Sequence, residues 1–218
     1  DILVWKPATK GVCTAKEAYK ELATQRQQPL PQNGSRALPD HGPKCFVDAA
    51  LPMAQPQDTP RPAGIGVLLC STSGPIMPAI EVQARAQGIN SPLHAEALAI
   101  LLASRLTKAL QQQIVNYITD NQLLVSTLQR NNFITDPGDW RLRPLLYEFI
   151  SNNSATTFQV HKISRNHNRP VKQASLSSDL ADCAYTCSHI SHHSQCPIIE
   201  ALKTVSWGSI TLVSVTCR

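Results

Sequence analysis

Apolar and polar positions alternate or cluster along this chain in a way that sets out its elements before any chemistry is considered. "KCFVDAAL" (residues 44 to 51) and "AGIGVLLCS" (63 to 71) are short apolar runs rich in β-formers, separated by the proline-rich "PMAQPQDTPRP". "PIMPAIEVQA" is a weaker strand candidate, because Pro78 interrupts it and places it at a sheet edge. These three predict an antiparallel meander.

The period then changes. "NSPLHAEALAILLASRLTKAL" offers Ser91 as N-cap and Pro92 at the first helical position, followed by a long run of good helix formers; it predicts a buried helix. "QQIVNYITD" reads as a strand ending at Asp120, and "NQLLVSTLQRN" as a helix with Leu124 and Leu128 inward. "DWRLRPLLYEFISNN" predicts an amphipathic helix, "ATTFQVHKIS" a strand, and "NRPVKQASLSSDLADCAY" a last helix. Strands that alternate with helices in this way imply parallel additions to the meander, hence an α/β domain.

Outside that domain the pattern weakens. "TAKEAYKEL" carries a capping box, Thr14 with Glu17, and predicts a short leading helix within residues 1–25. Residues 26–43, rich in Gln, Pro, Asn and Gly, bury too little to fold and read as a linker. Residues 44–180 form the domain and 181–218 a Cys/His-containing extension, in which "SITLVSV" either adds a strand or packs loosely.

Composition narrows the picture further. A chain of 218 residues with 42% apolar residues suffices for one cored domain. The formal charge of +5 is concentrated in residues 44 to 175, with twelve bases against eight acids, a mild lean toward a polyanionic partner. No run reaches the roughly eighteen apolar residues of a membrane span, and no leader pattern opens the chain, so no membrane partner is expected. Seven cysteines, an odd number, read as free thiols and an intracellular, reducing compartment; a monomer is expected.

Three acids stand out against apolar surroundings. Asp48 interrupts the first strand, Glu96 lies in the second turn of the long helix, and Asp120 closes the next strand. Each has an ordinary reading: Asp48 at a strand end, Glu96 paired with an arginine, Asp120 as the N-cap of the helix that follows. If the first and fourth strands are neighbours, the three converge. Converging carboxylates repel unless protonated or neutralised, and a hard divalent cation such as Mg2+ neutralises them through oxygen ligands.

The blocks "FVDAA", "AGIGVLL", "SPLHAEALAILLASRL", "YITDNQLLVSTL" and "ISRNHNRPVKQAS", in that order, resemble the reverse-transcriptase-associated ribonuclease H domains of plant non-LTR retroelements, over about residues 44 to 175. "DILVWKPATKGVCTAKEAYKEL" is similar to the start of the zinc-binding module that precedes such domains, without its ligands. The resemblance implies a ribonuclease H-like five-stranded mixed sheet flanked by helices. It implies endonucleolytic cleavage of the RNA strand of RNA/DNA hybrids, with Asp48, Glu96 and Asp120 as catalytic and metal-binding residues for two Mg2+ ions.

The family's fourth acid is missing. Counting from Asn168, its position holds Lys172, whose ammonium cannot ligate a cation and opposes a second ion by roughly a few kcal/mol at intermediate dielectric. A fold that binds nucleic acid without cutting it is therefore the alternative. Lys162, Arg165, Asn168, Arg169 and Lys172 form the expected nucleic-acid-binding segment, free of acids. In the extension, Cys183, Cys187, His189, His192, His193 and Cys196 are plausible zinc ligands, but their close spacing favours a helix end followed by a polar turn.

Overall fold

The structure is a computed structural model that describes residues 42–51, 62–70, 79–89, 91–130, 139–168, 171, 183–188 and 196–218. The leading helix, nearly all of the linker and the last predicted helix, apart from Asn168, Val171 and residues 183–185, lie outside these residues. Seven strands form one sheet: β1 (Lys44–Ala50), β2 (Ala63–Cys70), β3 (Ile80–Ala86), β4 (Ile114–Thr119), β5 (Thr157–Lys162), β6 (Ala184–Cys187) and β7 (Ile210–Cys217). Their order is β5-β4-β1-β2-β3-β7-β6. β1, β2 and β3 run antiparallel in sequence, while β4 lies parallel to β1 and β5 parallel to β4. The five strands expected from the sequence are all present, and β7 and β6 continue the sheet beyond them.

That continuation changes the place of β3. The strand begins after Pro78, so the proline leaves its ladder intact, and β3 pairs with β2 on one side and β7 on the other. It is an interior strand, not the expected edge. β6 is also a correction: residues 184–187, read as a helix end, pair in parallel with β7.

Among the described residues four helices accompany the sheet: α1 (Pro92–Ala109), α2 (Gln122–Gln129), α3 (Arg143–Asn152, entered through a 3-10 turn at Trp140–Leu142) and α4 (Pro197–Lys203). Ser91 Oγ accepts from His94 N–H at 3.2 Å and Pro92 follows, so α1 starts where its cap signal placed it. Its residues from Ala95 to Ser104 are buried all round, because β1, β2 and α3 cover it. Leu98, Leu101, Leu102 and Leu106 pack with Val47, Ile65, Val67 and Val82 in the main core. Full burial of such a side chain contributes roughly 1.5–3 kcal/mol.

A polar seam inside this core fixes how helices meet sheet. Tyr117 Oη lies 2.7 Å from Thr107 Oγ1 and donates to Asn153 Oδ1 at 2.8 Å, and Asn153 Nδ2 donates to Phe149 O at 2.8 Å. Tyr117, Phe149 and Phe158 stack edge to face around it. The C-terminal extension is tied to the same helix. Arg105 of α1 donates to Glu148 Oε1 at 2.8 Å and also to Trp207 O. Gly208, at φ +63°, sits so close that an added Cβ would meet the Arg105 guanidinium at 3.1 Å.

Candidate metal centre

The parallel register of β1 and β4 builds the acidic site. Lys44 pairs with Asn116 and Phe46 with Ile118, so two residues further along Asp48 comes level with Asp120. α1 delivers Glu96 from above. One carboxylate oxygen from each of Asp48, Glu96 and Asp120 lies within 4.8 Å of the other two. The three predicted residues do converge, and all are largely withdrawn from water: Asp48 is 4% and Glu96 6% exposed, and the Asp120 side chain 7%.

The ordinary readings fail for two of them. Asn121, not Asp120, caps α2, its Oδ1 accepting from Leu124 N–H at 3.1 Å. Asp120 thus has no capping role. Glu96 has no arginine of its own, and its Oε2 is buried without a hydrogen-bond partner among the described residues. Such an orphaned acceptor beside two carboxylates carries a large desolvation cost.

The electrostatics follow from that geometry. Burial, then the neighbouring Asp48 and Asp120 charges, push Glu96 up to about 8 from an ordinary 4.5; a hydrogen bond from Ala49 N–H and the Arg165 charge pull weakly the other way. Near neutrality Glu96 therefore holds a proton. Arg165 supplies the compensating charge, its Nε donating to Asp120 Oδ2 at 3.0 Å while its side chain remains 74% exposed. The hydrogen bond to Asp120 in turn raises the Arg165 pKa.

The expected nucleic-acid segment divides. Lys162 and Arg165 are exposed at the end of β5 and in the turn that follows. Asn168 is not a surface contact: it is 1% exposed and its Nδ2 donates to Val47 O at 2.9 Å, fastening the turn beneath the residue before Asp48. Its burial position follows from the turn that Asn168 N–H closes on Arg165 O, which a charge count over 161–172 does not register. Arg169 and Lys172 lie outside the described residues, as do His189, His192 and His193. Two roles escaped the sequence reading: Arg165 as counter-charge to Asp120, and Cys217, brought beside Cys187 and Cys196.

A mixed sheet whose first and fourth strands and first helix pool three carboxylates defines an α/β domain with a candidate hard-cation site. A family model described as reverse transcriptase-like matches residues 54–178, more than half of the chain, and the protein belongs to that family. The matched segment contains Glu96 and Asp120 and begins just after β1. No curated protein matches this sequence.

Solved structures similar to this one include RNase H1 from the halophilic archaeon Halobacterium salinarum NRC-1, with 20% identity, a TM-score of 0.48, and coverage of 62% of this chain and 94% of that one. LC11-RNase H1, solved in complex with an RNA/DNA hybrid, has 19% identity and a TM-score of 0.47 over 61% and 92% of the two chains. A foamy viral protease-reverse transcriptase in complex with dsDNA has 12% identity and a TM-score of 0.47 over 64% and 96%.

Proposed function

We propose that this protein is a metal-dependent endoribonuclease of the ribonuclease H type, acting on the RNA strand of RNA/DNA hybrids. The observation that carries this reading is the convergence of Asp48, Glu96 and Asp120 from β1, α1 and the end of β4. Membership of the reverse transcriptase-like family and the ordered sequence blocks support it.

The donor set fits a divalent hard cation. Three carboxylates offer oxygen ligands, Glu96 Oε2 has no other partner among the described residues, and a doubly charged ion would offset both the burial and the carboxylate repulsion that keep Glu96 protonated. Asp48, Glu96 and Asp120 would hold it, Glu96 giving up its proton as it does so. When bound, Mg2+ supplies activation of a water and stabilisation of the leaving oxygen. The chain's own contributions are separate from that. Asn168 holds β1 in place under Asp48. Lys162 and the exposed Arg165 offer phosphate contacts at the rim, where Arg165 is already oriented by Asp120.

Lys172 favours a second reading, a hybrid-binding fold with impaired cleavage, since it stands in the sequence where the family has its fourth acid. Incubating the purified protein with Mg2+ and an end-labelled RNA/DNA hybrid separates the two. Cleavage by the wild type that is lost in Asp48→Asn supports the nuclease. Cleavage by Lys172→Asp alone supports the impaired fold, and cleavage by neither, with no Mg2+-dependent stabilisation of the protein, removes the metal-site reading.

A further inference from the structure

The C-terminal extension holds a second ligand cluster that the acidic site does not use. Cys187 ends β6, Cys217 lies near the end of β7, and Cys196 immediately precedes α4. Cys187 and Cys217 are register partners in the parallel β6–β7 pair, so their side chains leave the same face of the sheet side by side. Cys196, nine residues after Cys187 and twenty-one before Cys217, joins them. The three Sγ atoms all lie within 4.8 Å of one another, and the residues are 5%, 2% and 1% exposed.

We propose that Cys187, Cys196 and Cys217 form a thiolate site for a soft divalent cation, zinc in the first instance, that clamps β6 and α4 to β7. Four thiolates or thiolates and another donor around zinc at ~2.3 Å stand about 3.8 Å apart in tetrahedral geometry. The sulfurs need approach by no more than about 1 Å to reach it. Ile199 is fully buried in the same cluster, and Ile198 and Tyr185, both partly buried, pack against it.

A small apolar cluster of neutral thiols is the competing account, since free cysteine packs as a small hydrophobe. Two features weigh against it. The cluster meets the main core through Tyr185 and Ile198, and among the described residues three of its four buried members are cysteines, with Ile199 the aliphatic one. β6 is a four-residue edge strand whose one buried side chain is Cys187 itself. Besides the β7 ladder, the Thr186–Thr216 hydroxyl pair and the Ser188 N–H bond to Cys217 O, the sulfur cluster is the buried side-chain attachment of this edge. Binding releases three protons, leaving a site of net charge −1 around the ion and one coordination position for a neutral donor.

The test uses the full reduced chain, stripped of metal and held in excess Mg2+ so that the carboxylates are occupied. Titration with Co2+ should give one equivalent of thiolate-to-cobalt charge-transfer absorption, abolished by one equivalent of Zn2+. Cys217→Ser and Cys196→Ser should each bind at least about tenfold more weakly, while Cys183→Ser, whose side chain is exposed and outside the cluster, should match the wild type. Circular dichroism establishes that each protein is folded. Absence of the band in folded wild type, a band unchanged in both cluster variants, or a Cys187–Cys217 disulfide in metal-free protein purified under reducing conditions would each overturn the proposal.

Discussion

The acidic and the sulfur clusters each bring three ligand atoms within 4.8 Å of one another, yet burial acts differently on the charge of their groups. Thiols stay neutral when buried: desolvation, then the neighbouring Cys196 and Cys187, push Cys217 up to about 12, so no charge is stranded there. Three carboxylates find less refuge, since Glu96 is the one held protonated near neutrality. Among the described residues, a proton on Glu96 and the Arg165 pair with Asp120 temper the charge of the acidic site. The sulfur cluster is thus a quiet structural element until a metal arrives, whereas the acidic one is a standing electrostatic liability at the heart of the sheet. A liability of that kind is characteristic of a site arranged for a ligand.

The comparison breaks most sharply in a crossed experiment. Asp48→Asn should lower hybrid cleavage by more than about a hundredfold, the upper range for outer-shell partners of a metal site, and leave the cobalt absorption unchanged. Cys217→Ser should do the reverse. Loss of both properties in either variant would mean that the clusters are not independent.

A smaller effect appears in the pH dependence of the metal-free protein. Glu96 has a folded value of about 8 above its ordinary 4.5, so between those limits the folded state retains a proton that the unfolded chain has released. Its stabilising share is complete below about pH 4.5 and is lost as the pH rises toward 8, at no more than about 1.4 kcal/mol per unit. Urea unfolding should show this decline in the wild type and a flatter profile in Glu96→Gln.

Removal of the support beneath β1 comes next. Asn168→Ala deletes the hydrogen bond to buried Val47 O and should lower stability by about 1–3 kcal/mol in the same assay. Arg165→Ala should matter least for stability, within about 1 kcal/mol, because that side chain is mostly exposed and its pair is screened.

The sequence made the acidic site readable for a local reason: each acid interrupts an apolar run, and the order of the runs fixes which elements carry them. That Ser91 starts α1 was equally local. Asp120 needed the structure, since a residue before a helix is a candidate cap until Asn121 is seen to take that role. The sheet extension was opaque because strand pairing is not local. "SITLVSV" alternates in the same way whether it lies alone or, as here, beside β3, and β6 is too short to show a period. Cys217 followed from neither spacing nor period; only the β6–β7 register brings it to Cys187.

The central claim, that Asp48, Glu96 and Asp120 together hold a divalent cation, is tested most directly by Mn2+ binding followed by electron paramagnetic resonance at pH 7, with Zn2+ occupying the thiols. The wild type should remove free Mn2+ from solution, Mg2+ should compete for the same site, and Asp48→Asn should bind at least about a hundredfold more weakly. Undiminished Mn2+ binding by folded Asp48→Asn, or none by the folded wild type, would contradict it.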